Sequence, residues 1–129
     1  MDRAPDTAPL VLVADDDADI ARLVCHHLRR IGLRTLQVSE GVEALRVAMQ
    51  ERPDLLVLDI GMPGLEGTAV SRIVHARGEQ APPVIFLTAR TRERDRAEAF
   101  AAGAVDYVTK PFTGRDLTAR VLAVLAAAE

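Results

Sequence analysis

The stretch Leu10-Val-Leu-Val-Ala-Asp-Asp-Asp17 runs five apolar residues straight into three carboxylates. A short, continuous apolar run with no alternation reads as a strand buried on both faces. Three later runs repeat the design: Leu55–Leu58 ends at Asp59, Val84–Leu87 at Thr88, and Val105–Thr109 at Lys110. As parallel strands of one sheet joined by right-handed crossovers, they bring all four polar ends to one rim. That carboxyl edge is where open α/β sheets hold their ligands. Carboxylates, a hydroxyl and an ammonium gathered there suit Mg²⁺ and a phosphoryl group.

The segments between the runs have helical period. Ile20, Leu23, Val24, Leu28 and Ile31 form one apolar stripe, with Gly32 as a stop signal. Leu33–Val38 reads as a second, weaker strand, and Val42, Leu45, Ala48 and Met49 as a second helix ended by Pro53. Beyond Asp59 the turn-rich Gly61-Met-Pro-Gly64 leads to a third helix over 68–77. A fourth helix over 93–102 stops at Gly103, and Leu117, Val121, Val124 and Leu125 mark a fifth. Five βα units with no internal linker or repeat predict an α/β fold, a doubly wound parallel sheet covered on both faces.

Composition sets the bounds. A chain of 129 residues fits one domain with a real core. Residues 1–8, polar and proline-broken, are expected to be a disordered lead-in to a domain over 9–127. A net charge of -3 and 3% aromatic content argue against direct nucleic-acid binding by this chain. No apolar run approaches membrane-spanning length. The one cysteine, Cys25, excludes an internal disulfide and suits a reducing cytoplasm. His26, His27 and His75 lack metal-ligand spacing and read as solvated or partly packed side chains. Fifteen arginines stand beside a single lysine, Lys110, which closes the last strand run.

Four segments carry a family resemblance: Val11-Leu-Val-Ala-Asp-Asp-Asp17, Pro53-Asp-Leu-Leu-Val-Leu-Asp-Ile-Gly-Met-Pro-Gly-Leu-Glu-Gly67, Ile85-Phe-Leu-Thr-Ala-Arg90 and Gly103-Ala-Val-Asp-Tyr-Val-Thr-Lys-Pro-Phe112. In this order and spacing, over about residues 9–127, they resemble the receiver domain of bacterial two-component response regulators. The resemblance implies a flavodoxin-like five-stranded sheet of order 2-1-3-4-5. It also implies a cytoplasmic phosphorelay protein with Mg²⁺ as cofactor, and a sensor histidine kinase or phosphotransfer protein as partner.

A carboxylate can be the nucleophile of phosphoryl transfer. By resemblance Asp59 is the phosphoacceptor; the plain alternative is a turn or cap aspartate. Asp15 and Asp16 match the family's acidic pair. Crowding them against Asp59 costs about 4 kcal/mol for each pair of like charges about 4 Å apart at an effective dielectric of about 20. A hard dication relieves that repulsion. The resemblance adds the Gly61 carbonyl as the remaining protein ligand, and leaves Asp17 and Asp19 to cap the first helix. Spacing alone does not say which two of Asp15–Asp17 face inward.

Lys110 pairs, by resemblance, with the acceptor carboxylate and then with a phosphoryl oxygen, and its bond to Pro111 is expected to be cis. Thr88 donates its hydroxyl to a phosphoryl oxygen, and Tyr107 turns inward when Thr88 moves; its plain reading is a half-buried core aromatic. Such a pair biases a two-state element. The arginine-rich start of the fourth helix opposes the helix dipole, or is simply a solvated charge run.

Gly61 and Arg90 stand where, by the same resemblance, relatives carry residues that tune loss of the phosphate. Val105 replaces an acidic residue common in the DNA-binding subfamily. Asp95, Asp106 and Arg120 still fit a homodimer through the fourth helix, fifth strand and fifth helix, the surface expected to switch and control an output partner or domain. Two other functions fit these residues less well. A Mg²⁺-dependent phosphatase with an aspartate nucleophile usually carries a second aspartate where this chain has Gly61. A nonphosphorylated interaction module would not need Asp15, Asp16, Thr88 and Lys110 together.

Overall fold

A computed structural model describes residues 6–128. Five strands, β1 (Leu10–Ala14), β2 (Arg34–Val38), β3 (Leu55–Leu58), β4 (Val84–Thr88) and β5 (Asp106–Thr109), pair in parallel in the order β2-β1-β3-β4-β5. Between and after them run α1 (Ala18–Arg30), α2 (Gly41–Glu51), α3 (Gly67–His75), α4 (Glu93–Ala101) and α5 (Gly114–Ala127). The order reverses at β1 and β3, so the ends of those strands border the crevice of a doubly wound fold.

The period of two along each strand divides the core. Val11, Val13, Leu55, Val57, Ile85 and Leu87 pack with α1 and α5 through Val24, Leu28, Leu117 and Val121. Leu12, Leu56, Leu58 and Phe86 pack on the other face with α2 and α3 through Ala44, Val47, Val70 and Val74. Because β1, β3 and β4 are buried on both faces, their sequences are unbroken apolar runs. The edge strand β2 is only half-buried, which explains its weaker pattern.

Several local expectations are corrected. In α1 the buried residues are Ala21, Val24, Cys25 and Leu28, whereas Leu23 and Ile31 are exposed. The small side chains Ala21 and Cys25, four residues apart, share the inner face with Val24 and Leu28, and Leu23 and Ile31 fall outside that stripe. In α2, Val42 is exposed and Val47 takes its place inside. Val105 precedes β5 and is exposed, although its N–H donates to the Val84 carbonyl at 2.9 Å. Order also reaches back into the expected lead-in. Ala8 is buried and its carbonyl accepts from Arg34 Nε at 2.8 Å, while the Pro9 carbonyl accepts from the Arg34 N–H at 2.9 Å. Residues 1–5 lie outside the described residues.

Asp17 caps α1: its Oδ1 accepts from the N–H groups of Asp19 at 3.1 Å and Ile20 at 3.2 Å. Two of the helix's orphan donors are thereby satisfied. Asp19 instead lies in the first turn and pairs with Arg22 at 2.9 Å.

Candidate functional site

Parallel pairing carries β1, β3 and β5 to one rim, and the residues just beyond them meet there. Asp15, Asp16 and Asp59 each offer a carboxylate oxygen, all within 4.8 Å of one another. The Asp59 N–H donates to the Ala14 carbonyl at 3.0 Å, which fixes the end of β3 against the end of β1. Asp15 is buried, Asp59 is mostly buried, and Asp16 is exposed. The run Asp15–Asp17 thus divides its work: two carboxylates join the cluster and the third caps a helix.

Lys110 reaches into the cluster from the end of β5. Its Nζ donates to Asp15 Oδ2 at 2.7 Å and to Asp59 Oδ2 at 3.0 Å. The bond with Asp15, the shorter of the two, was not foreseen from sequence. Asp15 spends its other oxygen on the Asp17 N–H at 2.9 Å. The Lys110–Pro111 peptide bond is cis, and the Lys110 N–H donates to the Thr88 carbonyl at 2.8 Å, tying β5 to β4.

Burial raises the pKa of Asp15 despite the hydrogen bonds from Lys110 and the Asp17 N–H. Burial also works against charge on Lys110, but its bonds to Asp15 and Asp59 and their negative charges together outweigh it. Its pKa is raised, so the ammonium is fully charged at neutral pH. One ammonium facing three carboxylates leaves a surplus of negative charge. Oxygen donors of that density suit a hard dication, so the residues fit Mg²⁺.

Thr88 is buried at the end of β4, with Oγ1 accepting from the Arg90 N–H at 3.3 Å. Tyr107 is 5% exposed, and its hydroxyl donates to the Arg90 carbonyl at 2.8 Å, so the ring points inward. Burial, then the neighbouring Asp95 charge, raises its pKa. Thr88 and Tyr107 therefore bind the same backbone residue from adjacent strands. Gly61 lies beneath Arg90: a Cβ added there would stand 3.1 Å from Arg90 Nη2. That guanidinium also lies 3.9 Å from Glu66 and 3.8 Å from Asp95. The position lacking a side chain is thus roofed by an arginine from the next loop.

Two residues at the rim escaped sequence reading. A Cβ on Gly67, at the start of α3, would stand 2.1 Å from the Asp59 carbonyl oxygen. A Cβ on Gly41, at the start of α2, would stand 1.8 Å from the Leu65 carbonyl oxygen. Both glycines let a helix start press against the loop that follows Asp59. Their presence in turn-rich sequence was visible, but the contact was not. The histidines hold no metal-like arrangement among the described residues. His75 Nδ1 donates to the Ser71 carbonyl at 2.8 Å, and the His27 ring packs where a side chain on Gly114 would lie.

Comparison with known proteins agrees with this geometry. The family model described as response regulator receiver domain matches residues 11–122. The transcriptional regulatory protein PrrA of Mycobacterium tuberculosis is 44% identical over 92% of this chain and 51% of its own length. The DNA-binding response regulator MtrA of Mycobacterium leprae is 39% identical over 89% of this chain and 50% of its own length. The chain spans about half the length of the curated relatives it matches. The absence of nucleic-acid binding expected from charge therefore speaks for this chain alone and does not match relatives named as DNA-binding. The solved receiver domain of Francisella response regulator 1452 superposes with a TM-score of 0.86 at 33% identity, covering 94% of this chain and 99% of that one. The strand order, the acidic rim and these matches together make the chain a member of the response regulator receiver domain family.

Proposed function

We propose that this receiver accepts a phosphoryl group at Asp59 from a phosphohistidine of a sensor kinase or phosphotransfer protein. An Asp59 carboxylate oxygen attacks phosphorus, the P–N bond to the imidazole breaks, and an acyl phosphate forms. The observation that carries this reading is the Asp59 carboxylate at the strand rim, held 3.0 Å from the Lys110 ammonium beside Asp15 and Asp16. Lys110 offsets charge that develops on the phosphoryl oxygens. Thr88 turns its hydroxyl to a phosphoryl oxygen, and Tyr107 keeps its ring inward behind it. When Mg²⁺ is bound by Asp15, Asp16, Asp59 and the Gly61 carbonyl, it supplies further neutralisation of the same oxygens.

Output passes through the surface of α4, β5 and α5 to a partner, a further domain or a second copy of the chain. Supporting this, Phe100, Val105 and Leu122 are exposed apolar side chains on those elements or at their borders. Arg120 already pairs within the chain, with Asp106 at 2.8 Å and Asp116 at 3.0 Å, so a symmetric contact must recruit or exchange those bonds. Among the described residues no helix is long and apolar enough to cross a membrane. We place the domain in the cytoplasm, where a kinase's phosphohistidine would meet it.

Acetyl phosphate or phosphoramidate with Mg²⁺ tests the reading directly. The expected product carries one added phosphoryl group, located at Asp59 by borohydride reduction and peptide mapping. Multiple turnover of a phosphate ester with no protein adduct would instead make the chain a hydrolase.

Millimolar Mg²⁺ should raise the melting temperature. At about ten times Kd the stabilisation is about 1.4 kcal/mol, or about 5 °C for a domain of this size. Asp16→Ala should remove the shift, and an equal shift in that variant would sink the metal assignment. The gain should also shrink in acid. Asp15 has a folded-state pKa above its ordinary 3.8, so the folded state takes up the proton first. Ionised Asp15 therefore costs stability as pH rises through that window, and bound Mg²⁺ offsets the cost only where Asp15 is ionised.

A further inference from the structure

We propose that Arg96 is a positioning residue for Tyr107, clasping its ring inward and holding α4 to β5 independently of any phosphoryl group. The proposal deepens the reading of Tyr107 as the switch side chain. Its starting point is how little fastens α4. Ala99 is the only fully buried residue within Glu93–Ala101. Helices draw most of their stability from packing an apolar face, and this one has almost none. Its first turn carries Glu93 and Asp95, which suit the dipole, but the N-cap residue Arg92 makes no side-chain capping bond.

The side-chain tie from α4 to β5 is a stack centred on Arg96. Its guanidinium carbon lies 5.4 Å from the centroid of the Tyr107 ring and 5.4 Å from that of Phe100. The two rings are 6.5 Å apart and tilted by 34°. A guanidinium within about 6 Å of a ring face is held by the ring's quadrupole, and here one cation serves two rings. Phe100 lies four residues after Arg96, on the same face of the helix. The cation thus covers Phe100 on its own element and Tyr107 on the neighbouring strand. At the other end of the ring, the Tyr107 hydroxyl donates to the Arg90 carbonyl at 2.8 Å. The ring is held at its hydroxyl by a backbone acceptor from the β4–α4 loop and over its face by a cation from α4. An outward turn of Tyr107 breaks both contacts and leaves α4 held to the sheet chiefly by Ala99. Arg96 therefore shifts the two-state balance toward inward Tyr107 without touching the acceptor site.

Tyr107 is the chain's only tyrosine and there is no tryptophan, so tyrosine emission reports this ring alone. The experiment measures acrylamide quenching of that emission in the unphosphorylated full chain, with far-UV circular dichroism to fix a temperature at which every variant is folded. Arg96→Gln removes the cation and keeps a good helix former. Loss of the cation over the Tyr107 ring should lower the inward population about two- to fivefold, seen as a matching rise in the quenching constant. Arg96→Lys should recover part of the protection, because an ammonium is a weaker partner for a ring face. Arg94→Gln, an exposed arginine of the same helix, should quench like wild type. Wild-type quenching in folded Arg96→Gln would overturn the proposal. So would equal opening in Arg94→Gln, which would reduce the effect to net helix charge. None of these measurements needs a phosphoryl donor. Failure of acetyl phosphate to modify Asp59 would thus strike the phosphoacceptor reading and leave the quenching result standing.

Discussion

Gly67→Ala should lower folding stability by about 3 kcal/mol and reduce modification of Asp59 to background. The added Cβ would stand 2.1 Å from the Asp59 carbonyl oxygen, 3.0 Å from its carbonyl carbon and 3.1 Å from Ile60 Cα. These are backbone atoms, so no rotamer change relieves the overlap. Either α3 or the segment carrying Asp59 must move. The Gly67 N–H donates to the Ile60 carbonyl at 2.8 Å, and the Asp59 N–H is tied to β1 at 3.0 Å. The acceptor loop is thus pinned on both sides of the clash, and relief on either side displaces the Asp59 carboxylate from Lys110. Gly78 is the control. Its φ is +84° and nothing lies within 4 Å of an added Cβ, so alanine there costs only left-handed strain, about 1 kcal/mol. Urea unfolding and acetyl phosphate labelling of the two variants, below their transitions, separate the cases. Gly67→Ala labelling at the wild-type rate would mean that the close approach does not position Asp59.

How far the sequence could be read follows from where its information lies. The strands β1, β3 and β4 are buried on both faces, and burial on both faces writes itself as an uninterrupted apolar run. Once those runs are taken as parallel, the meeting of the Asp15–Asp17 run with Asp59 and Lys110 follows from chain topology, and the resemblance picks Asp15 and Asp16 from that run. The helix faces were less legible because hydrophobicity overweights large residues. Leu23 outranks Ala21 on any hydropathy scale, yet Ala21 is the residue that lies against the sheet. The fourth helix had no apolar stripe to read, and in the structure it has almost no buried face.

Contacts between segments distant in sequence left no pattern at all. Nothing in the chain marks Gly67 and Gly41 as sites of backbone contact, as against Gly32, whose φ of +92° only ends a helix. In sequence Arg96 is one more member of a charged run, and only the folded chain sets it over Tyr107. Likewise the lone lysine was placed at the rim by its strand, but its second carboxylate partner, Asp15, depends on side-chain reach across the cluster. Local periodicity records which elements form; the site's finer chemistry is set by a few long-range approaches.

Lys110→Ala should cut phosphoryl transfer to Asp59 by about a hundredfold or more and destabilise the metal-free protein by about 2 kcal/mol. The ammonium neutralises Asp15, whose side chain is 4% exposed, and Asp59, at 12%. Removing it leaves two carboxylates facing each other in a poorly hydrated crevice, with the Asp17 N–H still donating to Asp15. Breaking a fully buried pair costs about 3–5 kcal/mol. The smaller figure is used because Lys110 keeps 16% exposure and water can follow the truncation. The raised Lys110 pKa sets the pH range. A lysine whose folded-state pKa lies above 10.5 contributes its full stability below that value and loses it as pH rises through the folded pKa, so the difference from Lys110→Ala should be flat across neutral pH and fade in strong alkali. Mg²⁺ should restore much of the lost stability, since it neutralises the same carboxylates, and should leave the rate defect, since the ammonium is still missing from the phosphoryl oxygens. That divergence is the test. If saturating Mg²⁺ returned both stability and transfer rate to wild type, Lys110 would be a structural counter-ion of the acidic cluster and not a participant in the chemistry.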